Sequence, residues 1–205
     1  MVAELVESGT ESGTTEQADT RRDALLDRLI GATNGVWDIA TVYIGDRLGL
    51  YTRLKELGPA TSTELASAAG LSERYVREWL EQQTASGILT LAKPGAGAFE
   101  RRFALPAGHD EVLTERESLN FLAPLASITL GAISPIHRVL DAFKTGGGVP
   151  YADYGVDLLE GQAGMNRNMF LYQLGQEYLS AIPDLDARLT SDPPARIADF
   201  GCGHA

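Results

Sequence analysis

The sequence predicts a mainly helical protein: a winged helix-turn-helix with a small β-hairpin wing, additional helices beyond it, and a last segment reading as the first strand of a Rossmann-like α/β domain. Three observations predict this. Residues 59–91 hold two capped helical runs separated by a Gly-containing turn. A Pro-Gly turn then joins two short β-like runs. Finally, the apolar run at residues 196–200 is followed by Gly201-Cys202-Gly203, the order in which an open α/β sheet leads into its ligand-binding turn.

Composition sets the bounds. A chain of 205 residues with 44% hydrophobic and 22% charged residues can bury a core, and its length suits one large domain or one domain with part of another. No apolar run reaches transmembrane length and no basic segment followed by an apolar stretch opens the chain, so a cytoplasmic protein is expected. The single Cys202 excludes an internal disulfide, and His109, His137 and His204 are too scattered to suggest a metal site. Five carboxylates, Glu4, Glu7, Glu11, Glu16 and Asp19, are the only charges among the first twenty residues. They leave -6 of the net -11 on the rest of the chain. A protein that binds by neutralising phosphates needs a basic face, and none is visible in bulk.

The elements follow in order. Residues 7–20 hold one Ala and no larger apolar side chain, too little to offset the entropy of ordering, so residues 1–20 are expected to form a disordered tail. A winged-helix domain is expected over residues 21–110. Leu25, Leu26, Leu29 and Ile30 open it at helical spacing. Val36, Ile39, Ala40, Tyr43, Ile44 and Leu48 form a second stripe, wide enough for a core or a partner helix. Thr61 and Glu64 fit a capping box for a helix that Gly70 closes. Ser72 is placed to cap the next helix, with Leu71 and Val76 as a hydrophobic staple. That second helix carries Arg74 and Arg77 against Glu73, Glu78 and Glu81, a net charge of -1 that opposes insertion into a DNA groove.

Residues 111–194 read as a helical connector. Its helix is interrupted at Pro124, restarts at Ser134-Pro135 and stops at Gly146-Gly147-Gly148. A polar, aromatic loop then leads into a helix over about residues 162–180, whose apolar stripe reads as core. A sharper reading has Tyr154, Gln162, Asn166 and Arg167 lining a cavity.

The last stretch, residues 195–205, carries a resemblance. Asp199-Phe200-Gly201-Cys202-Gly203 resembles motif I (D-x-G-x-G) of class I S-adenosylmethionine-dependent methyltransferases. The chain from about Arg22 is similar to the N-terminal half of bacterial members with a winged helix in front, most extensively along "TGGGVPYADYGVDLLEGQAGMNRNMF" and "PPARIADFGCG". The resemblance implies S-adenosylmethionine as cofactor, contacted by Asp199, Gly201 and Gly203, and also by Phe200 and Cys202. It further implies a homodimer formed through the N-terminal helices and a small-molecule substrate that residues 111–194 help to cover. The motif's next glycine is replaced by Ala205, where the chain stops. A chain truncated there is expected to transfer little or no methyl by itself. No residue stands out as a general base. Two other readings remain: a winged-helix DNA-binding regulator and a freestanding dimerisation module.

Overall fold

The computed structural model describes residues 3–193 and 195–201, with side chains from residue 16 onward. The chain divides into two units, Met1–Asp38 and Ile39–Ala205. Helix α1 (Ala3–Arg47) supplies the described part of the first and opens the second.

In the first unit α1 runs from Ala3 through residues 7–20, the stretch that composition leads one to expect as a disordered tail. Local pairs assist, with the Thr20 hydroxyl donating to the Glu16 carbonyl and Arg22 pairing with Asp19 at 2.7 Å. Leu25, Leu26, Leu29, Ile30, Val36 and Trp37 are all exposed.

The second unit begins with the winged helix. Helices α2 (Leu50–Leu57), α3 (Ser62–Ala69) and α4 (Glu73–Ala85) are followed by the antiparallel strands β1 (Thr90–Lys93) and β2 (Arg102–Ala104), in register Thr90 to Ala104 and Leu91 to Phe103. The capping box is formed as expected: the Glu64 N–H donates to the Thr61 hydroxyl and the Thr61 N–H to the Glu64 carboxylate. That backbone bond, together with Arg102, holds the Glu64 carboxyl below its ordinary range. Gly70, at φ 67°, ends α3. Leu71 N–H bonds to the Ala66 carbonyl and Gly70 N–H to that of Ser67, satisfying the orphan carbonyls of the last turn. Ser72 stands at the cap position of α4, but its side chain makes no capping bond. Burial of Val76, Trp79, Leu80 and Gln83 fixes that helix instead.

These helices and the wing share one core, built from Leu50, Tyr51, Leu54, Leu65, Val76, Trp79, Leu80, Leu89 and Phe103. The end of α1 joins it by an unexpected face. The Trp79 indole donates to the Thr41 carbonyl, and Gln83 donates to the Thr41 hydroxyl while accepting from the Tyr51 hydroxyl. A Cβ on Gly45 would lie 2.5 Å from the Tyr51 ring, so only glycine admits this approach. Ring size therefore selects the face carrying Thr41, Val42 and Gly45, and leaves Ile44 and Leu48 of the predicted stripe exposed.

Beyond the wing come α5 (His109–Thr114), α6 (Pro124–Ile133), α7 (Ile136–Thr145), α8 (Gly155–Met169) and α9 (Pro183–Leu189). Pro124 opens α6 instead of interrupting a helix, since its missing N–H is an orphan at the first position anyway. Pro135 occupies the cap position of α7 and Ser134 stays helical without capping; Gly146, at φ 74°, ends the helix. Helix α8 starts at Gly155, well before the expected residue 162, and continues into wider π-type turns over Phe170–Leu179. Helices α6 and α8 pack against each other through Gly131 and Gly161. No helix of the described residues is long and apolar enough to cross a membrane.

Candidate functional site

A cleft of about 500 Å³ opens where the end of α1, the loop between α5 and α6, and the α6–α8 pair meet. Its apolar surface comes from Phe121 and Pro124 and from the bare backbone at Gly161 and Gly164. Its charged groups are Asp46, Arg47, Arg116, Glu117, Glu160 and Arg167. The loop is held to α8 by Asn168, whose buried amide donates to the carbonyls of Arg116 and Ser118 at 2.8 and 2.7 Å. Those two bonds set the positions from which Arg116 and Glu117 project.

The charges are unequally paired. Arg47 meets Asp157 at 2.5 Å and Glu160 at 2.7 Å, and the Glu160 hydrogen bond leads in raising its pKa. Asp46 is mostly enclosed, its side chain 17% exposed, and among the described residues its one ion-pair partner is Arg116 at 3.6 Å. Burial pushes the Asp46 carboxyl up, against the opposing pull of Arg116 and Arg47. Arg167 is 3.2 Å from the Asn168 side-chain oxygen and 3.7 Å from Glu117.

Of the four cavity residues suggested by the sequence, only Arg167 lines this cleft. Gln162 lies exposed, accepting a hydrogen bond from the Tyr151 hydroxyl, while Tyr154 and Asn166 are half-buried outside it. Sequence reasoning missed Asp46, Arg116 and Asn168. An Asn directly after Arg167 and a carboxylate near the end of an apolar stripe carry no signal before the chain folds.

The glycine-turn motif is described only as far as Gly201; Cys202 and Gly203 lie outside the described residues. Residues 196–200 form no regular structure, as β1 and β2 are the strands among the described residues and neither pairs with this segment. Gly201 takes φ +80°, the left-handed conformation a phosphate- or ligand-facing turn uses, with nothing within 4 Å of a Cβ placed there. Phe200 is 92% exposed and Asp199 is exposed. One carboxylate and one left-handed glycine without an opposing wall do not by themselves fit a nucleoside cofactor.

On the winged helix, every arginine of α4 and of the wing is paired within the domain. Arg74 meets Glu78 at 2.8 Å, and Arg77 meets Glu73 at 3.2 Å while its guanidinium lies 4.6 Å from the centre of the Phe99 ring. Arg101 pairs with Glu81 and Arg102 with Glu64, both at 2.8 Å.

Comparison with known proteins places this architecture. Residues 39–115 match the family model of the Rv2258c-like winged HTH domain. That match begins where the second unit begins and ends just past α5, so it takes in the shared core and the wing. Among solved structures the chain is similar to the mitomycin 7-O-methyltransferase MmcR, with a TM-score of 0.56 and 20% identity over 77% of this chain. It spans about half of that protein, 48% of its length, and at this identity the likeness is one of fold. No curated protein matches the chain.

Proposed function

We propose that this chain is the N-terminal part of an S-adenosylmethionine-dependent O-methyltransferase, supplying the contact between subunits and a cover over a small-molecule substrate. The observation that carries the reading is the fold likeness to a methyltransferase. It runs through three quarters of the chain and so extends well beyond the winged helix. Asp199, Phe200 and Gly201 add the opening of the cofactor motif, with Gly201 already left-handed. From the neighbour only a reaction class is taken, methyl transfer to an oxygen. In such a reaction most of the acceleration comes from holding the two reactants in line, the task of a cover and of a complete cofactor site.

The decisive experiment is calorimetry with S-adenosylmethionine on this chain and on a version extended by its downstream coding sequence. The extended protein is expected to bind one cofactor, and the 205-residue chain at least a hundredfold more weakly. Binding by neither would sink the reading.

The subunit contact is assigned to a second copy of this chain through α1. Leu26, Leu29 and Ile30 lie on one face of a helix whose described side chains before residue 38 are all exposed, an arrangement a lone helix does not sustain in water. A two-fold pairing buries the same stripe on both copies. Sedimentation is expected to show a dimer that Leu26→Glu with Ile30→Glu converts to monomer. A monomer in the unmodified chain at high concentration would remove the subunit contact and leave the cofactor reading standing. The paired arginines of α4 and the wing count against DNA as the partner.

A further inference from the structure

We propose that the cleft between α1, the α5–α6 loop and α8 binds a small hydroxylated organic acid, with Arg116 and Arg167 holding its carboxylate and Asp46 accepting a hydrogen bond from its hydroxyl. The cleft is built entirely from helices and one loop and uses nothing of the glycine turn, so the inference stands apart from the cofactor reading.

Three features carry it. First, Asp46 is an under-partnered enclosed carboxylate. With one ionic contact among the described residues, at 3.6 Å, it has acceptor capacity left for a ligand in the cleft it lines, and an enclosed carboxylate in want of hydrogen bonds is a strong reader of a donor. The raised Asp46 carboxyl fits a group short of such bonds. Second, Arg116 and Arg167 differ from the other arginines nearby. Arg47 is closed at 2.5 and 2.7 Å by two carboxylates, whereas Arg116 and Arg167 approach theirs no nearer than 3.6 and 3.7 Å. Each therefore retains N–H donors for an anion, and guanidinium is suited to a planar carboxylate. Third, Arg116, 3.6 Å from Asp46, disfavours an ammonium beside that carboxylate, so the donor Asp46 reads is a neutral hydroxyl. Phe121, Pro124 and the bare helix surface at Gly161 and Gly164 supply the apolar part of the cleft's lining.

The test is calorimetric titration of the whole chain with 3-hydroxybenzoate, benzoate, phenol and inorganic phosphate. 3-Hydroxybenzoate is expected to bind about tenfold more tightly than benzoate or phenol, because each of these lacks one of the two recognised groups. Arg167→Gln, a change at a half-exposed side chain, should reduce 3-hydroxybenzoate to the level of phenol and leave phenol unchanged. Asp46→Ala should reduce it to the level of benzoate. Each variant's unfolding midpoint is measured alongside, and if Asp46→Ala fails to fold, Arg167→Gln alone decides. The proposal is overturned if 3-hydroxybenzoate does not bind the folded chain, if it binds no better than benzoate or phenol, if phosphate binds as tightly, or if Arg167→Gln weakens phenol equally.

Discussion

Gly131→Ala is expected to destabilise the protein by about 3 kcal/mol, at the upper end of the penalty for overpacking a close contact. A Cβ at Gly131 would sit 2.4 Å from the Leu158 backbone nitrogen and 2.8 Å from its Cα. One at Gly161 would sit 2.7 Å from the Ile128 nitrogen. These obstacles are backbone atoms, which cannot rotate aside, so α6 and α8 must separate along their length. Gly164→Ala meets only the Pro124 ring, at 3.0 and 3.1 Å, and should cost about 1 kcal/mol. Gly175→Ala has nothing within 4 Å and should stabilise by up to about 1 kcal/mol, because the helical propensity of Ala then acts unopposed. Urea unfolding of the three variants separates these outcomes. A Gly131→Ala protein as stable as the parent would mean that the two helices are not held at this distance.

The same contact illustrates what was legible in the sequence. Rules acting within a few residues could be read directly: Thr61 with Glu64 at one end of α3 and Gly70 at the other are local patterns, and they form as such. Signals with two meanings were harder. Pro124 suits a helix break and a helix start equally, and only the packing of α6 on α8 selects the second. The apolar stripe on α1 could not be assigned a face, because Tyr51 and Trp79 choose the side with Thr41 and Gly45 by shape, against the hydrophobic periodicity. The cleft was nearly illegible. Asp46, Arg116 and Arg167 are brought together by α1, a loop and α8, through an asparagine that bonds to backbone carbonyls about fifty residues away. Only Arg167 was singled out, on its place in a polar, aromatic stretch rather than on any contact.

Phe103→Ala should cost about 3–5 kcal/mol, the usual range for emptying a buried phenylalanine site, and so remove much of the stability a domain of this kind possesses. Phe103 is 2% exposed and lies where three parts of the winged helix meet. It pairs with Leu91 across the wing. Its backbone also exchanges two hydrogen bonds with Ala60, at 2.8 and 3.0 Å, which tie the wing to the segment leading into α3. The backbone bonds survive the substitution, so the loss comes from the ring and the cavity it leaves in the shared core. Two other phenylalanines calibrate the result. Phe99→Ala, on the wing beside Arg77, loses an exposed ring and one cation–π contact, about 1 kcal/mol. Phe143→Ala on α7 should leave the stability of the single chain unchanged, since that ring is 87% exposed. Thermal unfolding at low protein concentration compares the three directly. If Phe143→Ala proved as damaging as Phe103→Ala, the core would have to extend to α7, and the winged helix could no longer be regarded as the part that carries the fold.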